Sequence, residues 1–151
     1  MKKDASDRLN RSPIHLLHRA GQCAGDIFHT EMKVGGLTPR QLAVLMTVSQ
    51  NEGLSQTGLV DRIGIDRSTL ADIVRRMQRK GLLQRRRTHE DARAYAVKLT
   101  VEGKRVLKLA EPVGKRVDDR ILEVLPTKHR DQFVDDLLAI VDALQKMSPK
   151  G

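Results

Sequence analysis

The chain has 151 residues, 39% of them hydrophobic, one cysteine and a net charge of +9. That length supports one compact core or two small ones and argues against several domains. No apolar run approaches the roughly 20 residues that cross a bilayer, and the lone Cys23 can close no internal disulfide. The N-terminal "MKKDASDRLNRS" lacks the apolar stretch of a secretion signal, so a cytoplasmic protein with no membrane partner is expected. The charge is unevenly placed. Residues 62–98 carry 11 Lys and Arg against 4 Asp and Glu, whereas the segments before and after each sum to +1. One central segment is therefore the expected contact for a polyanion.

The first amphipathic pattern starts at Ser12, a candidate N-cap, with Pro13 at the first helical position, where its missing N–H does no harm. Leu17, Ala20, Ala24, Ile27 and Phe28 recur at spacings of three and four, and "VGG" at 34–36 stops the helix. Thr38 and Pro39 start a second helix, with Leu42, Leu45, Met46 and Ser49 on one face and Gly53 at its end. Two short helical patterns follow, separated at Gly64. Ser55 caps the first, with Leu59 and Ile63 inward; Asp66 caps the second, with Leu70, Ile73, Val74 and Met77 inward. Two short helices around a glycine turn fit a helix-turn-helix.

At about 100° per residue, the face opposite Leu70 and Met77 carries Ser68, Thr69, Asp72, Arg75, Arg76 and Arg79. These side chains can bond base edges and phosphates, and Ser68 and Thr69 stand at the end of the helix that enters a major groove. After Gly81, "LLQRRR" and "YAVKLT" are β-prone runs joined by the polar "THEDARA", a candidate hairpin. A helix-turn-helix followed by a basic hairpin is a winged helix. Arg86, Arg87, His89 and Arg93 are then the wing cations that meet phosphates or the minor groove. Asp91 fits as the acceptor that holds Arg93 and the loop N–H groups in shape.

From Thr100 to Leu125 a long pattern places Val106, Leu109, Ala110, Val113, Val117, Ile121 and Val124 on one stripe; Pro112 within it predicts a kink or a break. Pro126 and Thr127 restart a helix with Phe133, Leu137, Ile140, Val141 and Leu144 on one face. This is more apolar surface than so small a winged helix covers, so a second copy is the expected partner, and a two-fold dimer suits DNA half-sites. The expected fold is mainly α with a small β-hairpin wing (α+β). Residues 37–99 form the winged helix-turn-helix, and 1–36 with 100–151 form the dimerisation helices.

The layout resembles the MarR family of bacterial transcription regulators over nearly the whole chain. Its specific part is "GIDRSTLADIVRRMQRKGLLQRRRTHEDARAYAVKLTVEGK": recognition helix, "KGL", arginine-rich strand, a D-x-R wing tip at Asp91-Ala92-Arg93, and "LT-x-E-G" entering the next helix. The resemblance implies an obligate homodimer with intertwined terminal helices that reads a palindromic operator on double-stranded DNA, usually as a repressor. It also implies release by small phenolic or aromatic acids bound between the two regions. "GLSQTGLVDRIGIDRSTLADIVRR" is similar to the branch controlling hydroxycinnamate breakdown, whose effector is commonly the CoA thioester. An aromatic acyl-CoA is therefore the expected effector, with the free aromatic acid as the alternative.

No P-loop, H-E-x-x-H, G-x-S-x-G or Cys-His-Asn constellation is present, so no enzyme and no resident cofactor or metal is expected. His15, His18, Arg19, Gln22, Asp26 and His29 share one side of the first long helix, opposite Leu17, Ala24 and Phe28. That side is either a solvent face or, with Arg40, part of an effector pocket offering His and Arg to a phenol, a carboxylate or CoA phosphates. Two other readings use the same helix. His15 and His18 with Asp26 or a residue from another helix resemble the zinc ligands of some family members. Cys23 resembles a peroxide sensor less well, because such members pair their cysteine with nearby tyrosines. Tyr95 is the only tyrosine here, so Cys23 is expected to be a small buried apolar residue.

Overall fold

The computed structural model describes residues 5–87 and 95–148. The elements run α1 (Ala5–Asn10), α2 (Pro13–Glu31), α3 (Pro39–Gln50), α4 (Gln56–Ile63), α5 (Arg67–Arg79), β1 (Leu83–Arg87), β2 (Tyr95–Leu99), α6 (Val101–Leu122) and α7 (Thr127–Met147). Each internal helix starts where a short polar side chain can satisfy an orphan N–H. Ser12 accepts from the His15 N–H, Ser55 from Gly58, Asp66 from Thr69 and Thr100 from Gly103. Thr38 and Gln41 form a reciprocal capping box, each bond 3.1 Å long. Gly64 ends α4 at φ 75, a left-handed turn that glycine adopts without strain, and it aims α5 away from α4. The short α1 has no counterpart in the apolar periodicity, since Leu9 is its only large apolar residue.

The core is centred on α3, α4, α5 and the hairpin, where Val44, Leu45, Val48, Leu59, Leu70, Val74, Met77 and Val97 are fully buried. It continues without interruption into Phe28 of α2, Met32 at its C-cap, and Val106, Leu107, Ala110, Val113 and Val117 of α6. β1 and β2 pair antiparallel, with Leu83 opposite Leu99 and Arg87 opposite Tyr95. Leu54 and Ser55 add a short third edge: the Val97 N–H donates to the Leu54 carbonyl, and Ser55 bridges Ala96. The hairpin is thereby tied to the start of the helix-turn-helix.

α6 is docked by two glycines. A β-carbon on Gly103 would collide with the Leu82 carbonyl, and one on Gly114 would lie 2.8 Å from Leu42 Cδ2. α6 runs on through Pro112, so of the expected kink or break the break does not occur. Proline costs a helix interior about 3 kcal/mol through its missing N–H and ring clash. Val106 and Ala110 before it and Val113 and Val117 after it are buried in the same core, which holds the helix together across the proline, while Pro112 itself is exposed.

The single chain leaves much of the outer helices' apolar surface uncovered. Leu109, Val124, Ile140, Val141 and Leu144 are exposed, as is Leu17, and α7 buries none of its residues. Ser49 is exposed too. In α2 only Phe28 is buried; Cys23 is exposed, not the buried apolar residue expected. The reason is geometric. α2 leans on α6 through its C-terminal half, where Glu31 pairs with Arg120, and its N-terminal half extends past its own core.

Candidate nucleic-acid interface

α5 presents the charge that the core pattern leaves outward. Ile73, Val74 and Met77 anchor it, while Ser68, Arg75, Arg76 and Arg79 are exposed and Thr69 and Asp72 are half-buried. Asp72 is ion-paired to Arg76 one turn later, 3.0 Å from its Nε. Asp66 ties the helix start together. Its Oδ2 accepts from the Ser68 hydroxyl at 2.6 Å and the Thr69 N–H at 3.0 Å, and its Oδ1 accepts from the Thr69 hydroxyl at 2.5 Å. These bonds, Ser68's first, hold the Asp66 carboxyl well below the usual carboxylate range.

The wing strands divide their arginines by the two-residue strand period. Arg85 and Arg87 lie over the Tyr95 ring, 4.9 and 5.9 Å from its centroid. Arg86, between them, is exposed on the other face opposite Ala96. Sequence reasoning passed over Arg85 and the Tyr95 stack, although i, i+2 arginines opposite an aromatic are a legible cross-strand pattern. The expected wing-tip residues His89, Asp91 and Arg93 lie outside the described residues.

A cavity of about 450 Å³ opens where α2, α3 and α6 meet, lined by Phe28, Pro39, Leu42, Ala43, Met46, Glu111, Gly114, Lys115 and Asp118. Its floor is apolar and its charged side is α6. Lys115 pairs with Asp119 at 3.2 Å, while burial, then Asp119, push the Asp118 carboxyl up against the pull of Lys115. His15, His18, Arg19, Gln22, Asp26 and His29 do not line this cavity: His15 is half-buried and the other five are exposed along α2. Arg40 borders a second groove, with Thr38, Pro39 and Gln41 of α3 facing Thr69, Asp72, Ile73 and Arg76 of α5. Pro39 borders both spaces. Glu111, Lys115 and Asp118 were not singled out together from the sequence, though their i, i+4, i+7 spacing marks one helix face. Among the described residues no three His, Cys, Asp or Glu side chains come together as a metal site.

Residues 37–95, the span from the start of α3 to the wing, match the model of the MarR family. Transcriptional regulator HosA of Escherichia coli O157:H7 is 34% identical over 98 residues, which is 65% of this chain and 73% of HosA. The chain belongs to the MarR family. Its fold is that of solved family members. The PcaV transcriptional regulator of Streptomyces coelicolor, in complex with its natural ligand, superposes with a TM-score of 0.86 at 31% identity, covering 95% of this chain and 99% of PcaV. The repressor CouR bound to a 23-mer DNA duplex gives 0.84 at 27%, covering 93% and 99%. This MarR-family chain is a DNA-binding transcriptional regulator, with α4 and α5 as the helix-turn-helix and the hairpin as the wing. None of its described helices is long and apolar enough to cross a membrane.

Proposed function

We propose that this regulator works as a homodimeric repressor on a palindromic operator and that an aromatic effector entering the α2–α3–α6 cavity releases it. The cavity carries the proposal. It lies at the junction of the winged helix and the outer helices, its volume suits an aromatic acyl group, and Phe28, Leu42 and Met46 provide an apolar floor. Its α3 wall continues through Pro39 and Arg40 to the recognition helix. An effector that fits only one placement of α3 shifts the protein toward that placement, by the ratio of its affinities for the two.

The wall's charge bears on the form of the effector. Glu111 and Asp118 are acidic and Lys115 is already paired, so a free carboxylate meets a net negative rim. An acyl-CoA hides that carboxylate as a neutral thioester, and a phenolic hydroxyl on its ring can donate to Asp118 or Glu111. CoA is larger than the cavity, so its phosphates would lie outside, with Arg40 and the α2 residues His15, His18, Arg19, Gln22 and His29 as the proposed polar contacts; Asp26 on the same side of α2 would repel a phosphate. PcaV, with its natural ligand bound, supports a small-molecule effector for this architecture.

The dimer reading rests on uncovered apolar surface. Ile14 is 65% exposed, Leu138 59% and Val141 57%, alongside Leu16, Leu17, Leu144 and Met147 on the same two helices. Calorimetry and operator release with a hydroxycinnamoyl-CoA, the free acid and CoA alone test the effector. Release by the thioester at lower concentration than by the free acid is expected. Equal or better release by the free acid replaces the thioester with the simpler phenolic acid, and release by neither removes the aromatic reading.

A further inference from the structure

The bonding at the start of α5 restricts what Ser68 and Thr69 can offer to DNA. Their hydroxyl oxygens stand 2.6 and 2.5 Å from the two oxygens of Asp66, distances at which one proton lies between each pair. An ionised carboxylate has no proton to give, and Asp66 is ionised at neutral pH because its carboxyl is held far below the ordinary range. Both protons therefore belong to the hydroxyls, and each hydroxyl has only one. What the exposed Ser68 and the half-buried Thr69 have left to offer is lone pairs.

We propose that Ser68 and Thr69 act on the operator as hydrogen-bond acceptors only, reading the amino group of adenine (N6) or cytosine (N4) in the major groove. A serine or threonine on a recognition helix can usually bond either a donor or an acceptor on a base. Here guanine O6 and N7, thymine O4 and the phosphate oxygens are excluded, since each needs a donor. The Asp66 charge beside them further disfavours phosphate. Every base pair has one groove-facing amino group, on A or C, so an acceptor sorts the two orientations of a pair: A or C, not T or G, on the strand that meets the hydroxyl. Arg75, Arg76 and Arg79 then supply the donors for guanine and phosphate from later turns.

The test uses the full-length protein and a duplex that it selects from a randomised pool. N6-methyladenine or N4-methylcytosine placed singly at each A and C of a half-site replaces the groove-facing N–H with a methyl and keeps the base pair. One hydrogen bond of about 1 kcal/mol corresponds to about fivefold in affinity. At one position or more, methylation should weaken the wild type by about that factor and leave Ser68→Ala or Thr69→Val within twofold of its own unmethylated value. Ser68 is exposed, so Ser68→Ala should keep the fold even if Thr69→Val disturbs the cap. The Thr69→Ser variant, which keeps the hydroxyl, should behave as the wild type. The proposal is overturned if no methylation effect depends on either hydroxyl. It is equally overturned if the hydroxyl-dependent penalty appears instead with 7-deazapurines, which lack the N7 acceptor. A loss in Ser68→Ala that is the same for selected and random duplexes would show a phosphate contact and also overturn it.

Discussion

The winged helix and the outer helices are built from similar proportions of apolar residues, yet they satisfy them differently. Leu45, Leu59, Leu70 and Met77 are fully buried within one protomer, whereas the large apolar residues of α7 and of the first half of α2 are half-buried or exposed. The reading head holds its shape from its own chain. The outer helices leave an apolar surface uncovered, the surface that the proposed second copy would take up.

That contrast can be broken most directly in the core. Leu45→Ala or Leu70→Ala should cost 2 to 5 kcal/mol by urea denaturation, about the range for truncating a buried leucine. A loss below about 1 kcal/mol would mean that this half also depends on surfaces outside the protomer. On the other side, Leu138→Asp with Val141→Asp should leave the helical circular dichroism largely intact. It should abolish the concentration dependence of the melting temperature and weaken operator binding on the order of a hundredfold through lost avidity. Unchanged sedimentation and operator affinity would remove α7 from the dimer.

Within the reading head the expected effects are smaller. Arg75→Ala or Arg76→Ala should cost about 1 to 3 kcal/mol of operator binding in a mobility-shift titration if the residue contacts a base. No loss in either, with the fold intact, would move the interface off this face of α5. Arg86→Ala should weaken operator and random DNA by similar factors and lower the salt slope by about one unit, the mark of a phosphate contact; loss confined to the operator would instead mean base reading.

The smallest effect concerns the cap that orders the reading end. Hydrogen bonds from Ser68 and Thr69 hold the folded Asp66 carboxyl below its ordinary value of 3.8, so the unfolded chain binds the proton more readily. The cap's contribution is then complete above that ordinary value and is lost as pH falls toward the folded one. The stability difference between wild type and Asp66→Ala should accordingly be flat from neutral pH to about 5 and narrow only in stronger acid. A difference that narrows already near neutral pH would show that another group carries it.

Much of this protein was legible in its sequence because the deciding interactions are local. Ser12, Thr38, Ser55 and Asp66 cap helices whose first turns they can reach, Gly64 supplies the left-handed turn between α4 and α5, and the apolar periodicity of α5 fixes which arginines face outward. The tertiary structure decided whatever depends on which element arrives from elsewhere. Pro112 sits in an unbroken helix because buried residues on both sides of it share one core, a contact no window around the proline contains. Cys23 is exposed because none of the described residues covers that side of α2, and the cavity exists only where three helices separated in sequence meet. Ser68 is exposed and Thr69 half-buried, and what either can offer a partner follows only from the Asp66 oxygens that take both hydroxyl protons. Sequence periodicity gives a side chain's direction, and its chemistry then depends on the partner that it meets there.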